Sequence, residues 1–464
     1  MAANRTNLPT GTGKKTFAAI HQETIREVSR LTAQIFADLR KNGHHDMEAV
    51  EMLVRDGMYR VGAVILSRVL SQGPPEQRTI PCGCGQTAHY KELRSKPIIT
   101  VVGAVRFERP YYVCGQCSHA PNPADAALGV EHIEFSPGVR RMMAVAGSEA
   151  DFDSAREQIK QLAGLEVSTK SVERHAEQIG AEIMRIEQAE IKRSVQLQLP
   201  IPMGAPIPAL YVEIDGTGIP VVKSEVLGRI GRVEGQPART REVKLGCLFT
   251  SSGVDEEGHP IRDPDSTTYT GAIENAEEFG RRIYREAFER GWSRAKIKVI
   301  LGDGAIWIWN LAADQFPGAI LMVDFYHAAE HLHKLSKLLF PGDEAARKRW
   351  TSSIIDQLKA GEIESIMAIL RSLAIPRPEL ADKLMTEADY FERNTQKMRY
   401  SKFRQMGLFI GSGVIEAGCK ALIGARLKKS GMFWTVDGAN KIIALRCCRF
   451  SGRFEDFWER QAAA

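Results

Sequence analysis

The chain is 464 residues long, with 44% hydrophobic and 26% charged side chains and a formal net charge of +5. That length exceeds one ordinary core and implies roughly two to four domains, and the composition is that of a soluble protein. With no run of about 18 apolar residues a membrane span is excluded, and the mild basic excess is only a weak hint of a polyanionic partner.

Residues 1–14 read as a disordered tail. Met1–Lys15 is polar and lacks a hydrophobic segment, so no secretory signal is expected and a cytoplasmic, nucleoid-associated location is. Residues 15–75 form an N-terminal helical region: Ile20, Ile25, Val28, Leu31 and Ile35 recur at helical spacing, Asn42-Gly43 breaks the pattern, and Ser71-Gln-Gly-Pro-Pro is a linker. Residues 76–135 switch to strand character, with alternation over Thr100-Val-Val-Gly-Ala-Val-Arg-Phe and Pro110-Tyr-Tyr-Val leading into Cys114. Four of the eight cysteines fall here: Cys82-x-Cys84 and Cys114-x-x-Cys117. In a reducing compartment such a set reads as a zinc ribbon holding structural Zn²⁺ rather than disulfides. His89 or His119 could replace one thiolate, and four unrelated buried thiols are the plain alternative.

Residues 136–198 return to helix. Ser154 and Glu157 are spaced for a capping box. After the break Gly164-Leu-Glu-Val, Ser168 can cap a second helix carrying Val172, Ala176, Ile179 and Ile183 inward. Two short helices around a glycine-containing turn match a helix-turn-helix, with Lys170 and Arg174 exposed toward DNA. A hairpin that only packs or dimerises fits the same pattern.

Leu199-Pro-Ile-Pro-Met-Gly-Ala-Pro-Ile-Pro208 cannot be helix and marks a boundary. Strands follow over 209–215, 243–250 and 267–272, then a helix over 275–290 capped by Asn275 and Glu278. Strand 296–302, a helix over 307–315 and strand 319–323 complete the set. Three strands, helix, strand, helix, strand is the order of a ribonuclease H-like domain, expected over 207–464 with an all-helical insertion at about 331–404. The fold class is thus α/β, preceded by helical, zinc-ribbon and helix-turn-helix segments.

In that order Asp215 and Asp303, each followed by glycine, end the first and fourth strands, which are neighbours at the sheet centre. Glycine there would let a nucleic-acid backbone approach closely. Glu416, in Gly411-Ser-Gly-Val-Ile-Glu416-Ala-Gly-Cys-Lys420, begins a helical stretch. Two strand-end aspartates and a helix-borne glutamate suit a magnesium site for phosphoryl transfer. Singly, each has a plain reading as well: Asx turns for the aspartates, an i,i+4 partner of Lys420 for Glu416. His327-Ala-Ala-Glu330-His331 matches an inverted zinc-peptidase pattern by its five residues only. The loop Gly228–Gly235 lacks a phosphate-binding lysine and serves better as a basic loop, with Arg229, Arg232, Arg239 and Arg241 near phosphates. Trp307, Trp309 and Trp434 suit core packing better than base stacking.

The C-terminal half resembles insertion-sequence DDE transposases of the ISKra type, distantly similar to Mutator-like transposases. The resemblance covers about residues 130–464. It rests on Val212-Glu-Ile-Asp215-Gly-Thr-Gly-Ile-Pro, Leu301-Gly-Asp303-Gly-Ala-Ile-Trp-Ile-Trp-Asn, Val323-Asp324-Phe-Tyr-His327, the Glu416 motif and Ser430-Gly-Met-Phe-Trp434-Thr-Val. It implies that Asp215, Asp303 and Glu416 bind catalytic Mg²⁺ (or Mn²⁺) and that Asp324 and His327 support the site. It further implies cutting and joining of double-stranded DNA, at terminal inverted repeats and target, by a homo-oligomer. A non-catalytic DNA-binding protein with an inert ribonuclease H-like fold, and a nuclease without strand transfer, are the alternatives.

Overall fold

A computed structural model describes residues 17–41, 46–231 and 238–463. The tail expected over 1–14, the Asn42-Gly43 break and Arg232 lie outside the described residues. Two compact units are formed, Met1–Ala176 and Glu177–Ala464. Among the described residues, no helix is long and apolar enough to cross a membrane.

The first unit opens with helices α1 (Phe17–Lys41) and α2 (Met47–Leu70). They cross at Gly57, where a Cβ would lie 2.2 Å from Ile35 Cδ1, so only glycine permits the approach. Ala63, Leu66 and Leu70 of α2 pack against Ile98, Val105 and Phe107. These three belong to an antiparallel sheet of β1 (Thr79–Pro81), β2 (Thr87–Thr100) and β3 (Gly103–Cys114), ordered β1-β2-β3. Buried Asp125, on the short helix α3 (Pro123–Ala127), ties that sheet by accepting from Arg109 (2.7 Å) and Lys96 (3.3 Å). The helices α4 (Pro137–Glu149), α5 (Phe152–Ala163) and α6 (Thr169–Val195) follow, with α6 belonging to the second unit from Glu177 on. Val139, Met143, Ala155, Ile159 and Val172 fill the core between them.

Two details of this helical segment differ from expectation. The cap of α5 is Asp151, not Ser154: the Ser154 amide and hydroxyl both donate to the Asp151 carboxylate, at 2.9 and 2.8 Å. A carboxylate that can take both donors starts the helix earlier than a serine would. The second helix is also not short. Ser168 caps it as expected, accepting from Ser171 N at 3.0 Å, but it runs 27 residues because apolar spacing continues through Ile179 and Ile183. The turn between the helices uses Gly164 at φ +65°.

In the second unit, β4 (Ile207–Pro220), β5 (Thr240–Val254), β6 (Pro260–Arg262) and β7 (Thr268–Ala272) precede α7 (Ala276–Glu289), whose Asn275–Glu278 capping box forms as expected. Then come β8 (Ala295–Gly302), α8 (Ile306–Gln315) and β9 (Ile320–Val323). The sheet is mixed, ordered β6-β5-β4-β8-β9 with β7 also on β5; β4 pairs antiparallel with β5 and parallel with β8, and β8 parallel with β9. Strand β6 was not expected from the sequence. A turn in which Asp255 Oδ1 accepts from Glu257 N and His259 N folds it back on β5. Leu210, Val212 and Ile214 point from one face of β4 into a core with Phe279, Ile283, Ile300 and Ile308.

Helices α9 (Phe325–Leu339), α10 (Glu344–Ala360), α11 (Ile363–Ala374), α12 (Ala381–Asn394) and α13 (Tyr400–Gln405) occupy the stretch before α14 (Gly413–Gly418). A π-helical turn, Cys419–Gly424, continues α14 into α15 (Ala425–Leu427), and α16 (Val436–Phe450) and α17 (Phe454–Ala463) close the chain.

Candidate active site and cysteine cluster

Three aspartates stand in one row. Ile214 of β4 pairs with Gly302 of β8, and Gly302 pairs with Val323 of β9. These three strands run parallel, so the residues that follow, Asp215, Asp303 and Asp324, sit together at their carboxyl side, on strands about 4.8 Å apart. One expectation needs correcting: Asp303 follows the end of β8, but Asp215 does not end β4, which continues to Pro220 against β5. The β4–β5 hairpin outlasts the parallel pairing, so Asp215 is a mid-strand residue with one flank unpaired.

Each carboxylate is held by named donors. Asp215 accepts from Gly216 N (2.7 Å) through Oδ1 and from Cys419 Sγ (3.3 Å) through Oδ2. Burial raises its pKa and the nearby Asp303 charge adds to the rise, while His327 opposes it. Asp303 Oδ1 accepts from Ala305 N at 2.9 Å, an Asx turn, and the Tyr390 hydroxyl donates to the Asp303 carbonyl at 3.0 Å. Asp324 caps α9, its Oδ1 accepting from Tyr326 N (2.5 Å) and His327 N (3.1 Å), while Oδ2 accepts from Ser412 N (2.8 Å). Both its oxygens are therefore committed to backbone.

The glycines beside the two aspartates differ in what surrounds them. Gly304 has φ +96°, and a Cβ there would lie 2.7 Å from the Tyr390 ring. A Cβ on Gly216 would meet Glu242 Oε1 at 2.7 Å. Intramolecular fit accounts for Gly304, whereas at Gly216 the neighbour is the end of a flexible, partly exposed side chain.

Glu416 is turned to a cation of its own helical segment. Its Oε1 takes Lys420 Nζ at 2.7 Å, with the two side chains 62% and 75% exposed. Among the described residues, the cysteine group is the one set of three or more potential ligands whose donor atoms lie within 4.8 Å of one another, so Asp215, Asp303 and Glu416 do not converge into a cage. Glu416 nevertheless shares a helix face with Cys419, three residues on, whose thiol touches Asp215.

Two residues absent from the sequence reading lie at the centre. Tyr211, Glu213 and Asp215 alternate onto the face of β4 away from the apolar core, and each accepts one hydrogen bond from the segment 409–419. Phe409 N donates to the Tyr211 hydroxyl oxygen at 3.2 Å, Ile415 N to Glu213 Oε2 at 2.8 Å, and Cys419 Sγ to Asp215. Glu213 is fully buried, and burial pushes its pKa up to about 8. A signal existed in the sequence: Glu213 is a charge in an otherwise apolar strand, two residues from Asp215 and thus on its face.

The remaining candidates fall into place singly. His331 Nδ1 bonds Glu387 Oε2 at 2.7 Å and stacks on Tyr390, and Glu330 pairs with Lys334, so the peptidase-like pattern is spent on structure. Trp309 Nε1 donates to Asn394 and Trp434 Nε1 to the Leu427 carbonyl, both in packed positions, and Trp307 packs on Phe279. Lys170 and Arg174 are exposed on α6, Lys170 with Glu173 at 2.9 Å. Arg229 is exposed after β4.

In the first unit the four cysteines converge. Cys82 Sγ lies 3.6 Å from Cys117 Sγ, and Cys84 Sγ 3.7 Å from Cys114 Sγ. A tetrahedral zinc with bonds of about 2.3 Å has S···S edges of about 3.8 Å, so the cluster has the right size. Backbone amides of Cys117 and Gln116 point at Cys114 Sγ and hold its pKa down to about 7, favouring thiolate. His119 Nδ1 lies 3.9 Å from Cys82 Sγ, at the cluster's rim. This set could bind zinc.

Among known proteins, the chain is 22% identical over 380 residues to the "UPF0236 protein in vanSb 3'region" of Streptococcus gallolyticus, covering 79% of this chain and 75% of that protein. The Drosophila P element transposase strand transfer complex is a structural neighbour at 10% identity, covering 73% of this chain and 84% of that one; its TM-score of 0.23 is too low to carry an argument about fold or function. The profile of the uncharacterised protein family UPF0236 matches residues 46–461, and the chain belongs to that family.

Proposed function

We propose that this protein is a DDE-type transposase, cutting and joining DNA at the ends of an insertion sequence with Asp215, Asp303 and Glu416 as metal-binding carboxylates. The observation that carries the reading is the in-register placement of Asp215 and Asp303 on adjacent parallel strands, with Glu416 one turn from the thiol that touches Asp215. The strand order β7-β5-β4-β8-β9, with β4 central, matches the ribonuclease H-like arrangement that such chemistry uses. The narrower ISKra-type placement rests on the motifs alone.

The donor set fits a hard divalent cation. Asp215 and Asp303 bring neighbouring carboxylates to one strand row; burial raises the Asp215 pKa and Asp303 adds to the rise, and a cation between them would favour the ionised form of both. Glu416 is exposed on α14, and in this reading its side chain would leave Lys420 to join the pair once the metal is bound. Bound there, Mg²⁺ or Mn²⁺ would polarise the scissile phosphate and activate water and then a DNA 3′-hydroxyl. Asp324 holds the Ser412 backbone and the start of α9, and in this reading it and His327, whose charge lowers the Asp215 pKa, support the site. The Cys82, Cys84, Cys114 and Cys117 cluster would carry structural zinc. Lys170 and Arg174 on α6, and Arg229 with Arg232 after β4, would contact DNA phosphates, and the ends would be bound by a homo-oligomer.

The test is cleavage and joining of duplex DNA carrying the element's ends in Mg²⁺ or Mn²⁺. Asp215→Asn, Asp303→Asn and Glu416→Gln should each lower the rate by about a thousandfold or more while melting temperature is kept. Wild-type rates in any one variant would remove that residue from the site. The Glu416–Lys420 pairing favours a second reading, a DNA-binding protein without catalysis; bound but uncut DNA with wild-type protein would select it, and cutting without joining would indicate a nuclease.

A further inference from the structure

The segment that carries Glu416 is joined to β4 by one row of side chains. Tyr211 receives Phe409 N, Glu213 Oε2 receives Ile415 N, and Asp215 receives the Cys419 thiol. Only Asp215 has a chemical role in the proposed function. Glu213 is different in kind: it is fully buried, its Oε1 has no hydrogen-bond partner among the described residues, and its bonded oxygen takes an amide in the first turn of α14. A buried carboxyl group is costly in an apolar sheet face, and one hydrogen bond does not offset that cost. Removing it would favour stability unless its contact is needed.

We propose that Glu213 is a positioning residue for the catalytic site, fixing the amino end of α14 on β4 so that Glu416 is presented at the height of Asp215. The proposal rests on the assignment of Asp215 and Glu416 in the preceding section. Ile415 is the residue immediately before Glu416, so anchoring its amide sets the origin of the Glu416 side chain. Asp324 supplies a second point by holding Ser412 N at 2.8 Å, and the Phe325 amide donates to the Ile410 carbonyl at 2.9 Å. The loop before α14 is thereby tied to β9, and the helix itself to β4. Gly418 completes the fit: a Cβ there would lie 2.6 Å from the Tyr269 ring, so the helix sits tight against β7.

The experiment uses the full chain and the variants Glu213→Ala, Glu213→Asp and Glu213→Gln, with Asp215→Asn as reference. Hydrogen exchange at the Ile415 amide and Mn²⁺-dependent cleavage of end DNA are both read. Glu213→Ala should speed exchange at Ile415 about tenfold, the weight of one hydrogen bond. Its cleavage rate should fall about a hundredfold at unchanged DNA affinity, as expected for a displaced catalytic group. Glu213→Asp, one methylene short of the amide, should behave like Ala, which covers the case in which Ala does not fold. Glu213→Gln keeps an accepting oxygen and should restore both protection and cleavage. The proposal is overturned if Ala or Asp exchanges and cleaves like wild type while Asp215→Asn is dead, or if Gln fails to rescue. If Asp215→Asn itself cleaves normally, the functional reading fails instead, and the exchange data still judge the anchor.

Discussion

The cysteine cluster of the first unit and the carboxylate row of the second are both candidate metal sites, yet they are built oppositely. Four thiol sulfurs lie within 4.8 Å of one another, whereas Asp215 and Asp303 are tethered by backbone amides and Glu416 is turned to Lys420. Thiols are mostly protonated at neutral pH and crowd at smaller electrostatic cost than carboxylates, even with Cys114 drawn toward thiolate by backbone amides. Two carboxylates at about 4 Å repel by roughly 4 kcal/mol in a partly buried site. A sulfur site can therefore be preformed by backbone alone, while an oxygen site for two hard cations must keep one ligand in reserve until charge arrives to neutralise it.

The comparison can be broken most decisively at the cysteines. Protein prepared under reducing, chelator-free conditions should contain about one zinc, and Cys114→Ser or Cys117→Ser should lose it and unfold residues 76–135 locally. Structural zinc in small domains contributes about 10 kcal/mol or more, so the loss should be evident by circular dichroism and proteolysis. Metal analysis without zinc would make the cluster four packed thiols, and the contrast would vanish.

Glu286 sharpens the other side, because it is a buried carboxylate of the second unit with its counter-charge already present. Burial pushes its pKa up, but Arg453, donating at 2.5 and 2.8 Å, and Arg285 outweigh that and hold it at about 2, below the ordinary 4.5. The folded pKa is depressed, so the stabilisation is complete above pH 4.5 and lost as pH falls toward 2. Thermal melts should show this slope, and Glu286→Gln should flatten it and destabilise by about 3–5 kcal/mol at neutral pH. An unchanged slope would mean that Glu286 is not held ionised by its arginines.

Lys420→Ala gives the smallest effect and the most direct reading of the reserve ligand. An exposed i,i+4 pair contributes less than about 0.5 kcal/mol, so melting should hardly move. Divalent-cation affinity, followed by Mn²⁺ titration, should rise by about threefold once Glu416 has no competing partner. A weaker affinity would mean that Lys420 helps to build the site rather than restrain it.

How much of this was legible in the sequence follows from what each element depends on. The strand and helix order of 207–323 was readable because alternation, the Asn275–Glu278 box and the Asp303-Gly304 turn are local. The cysteine convergence was readable because two short Cys motifs flank one hairpin. The length of α6 and the Asp151 cap were missed, since apolar spacing does not say where a helix stops and several residues competed for the cap. Strand β6 escaped because three residues carry no pattern. Glu213 escaped because its partner, Ile415, lies far along the chain and offers only a backbone amide. Gly304 has a structural reason the sequence did not show, a φ of +96° against the Tyr390 ring.

The pairing Ile214–Gly302–Val323 also makes the carboxylate site a check on the fold. Side chains alternate along β4, so a slip of one residue against β8 would turn Glu213 and Asp215 into the apolar core of Phe279 and Ile308 and push Val212 and Ile214 out. A chain with the aspartates misaligned therefore has its core misassembled as well, and could not persist as a folded but inactive competitor. Length changes are compatible with the row where they fall outside it, as in the long helical stretch α9–α13 after β9. The strands that carry the site can lose activity by substitution, but not by insertion without losing the fold too.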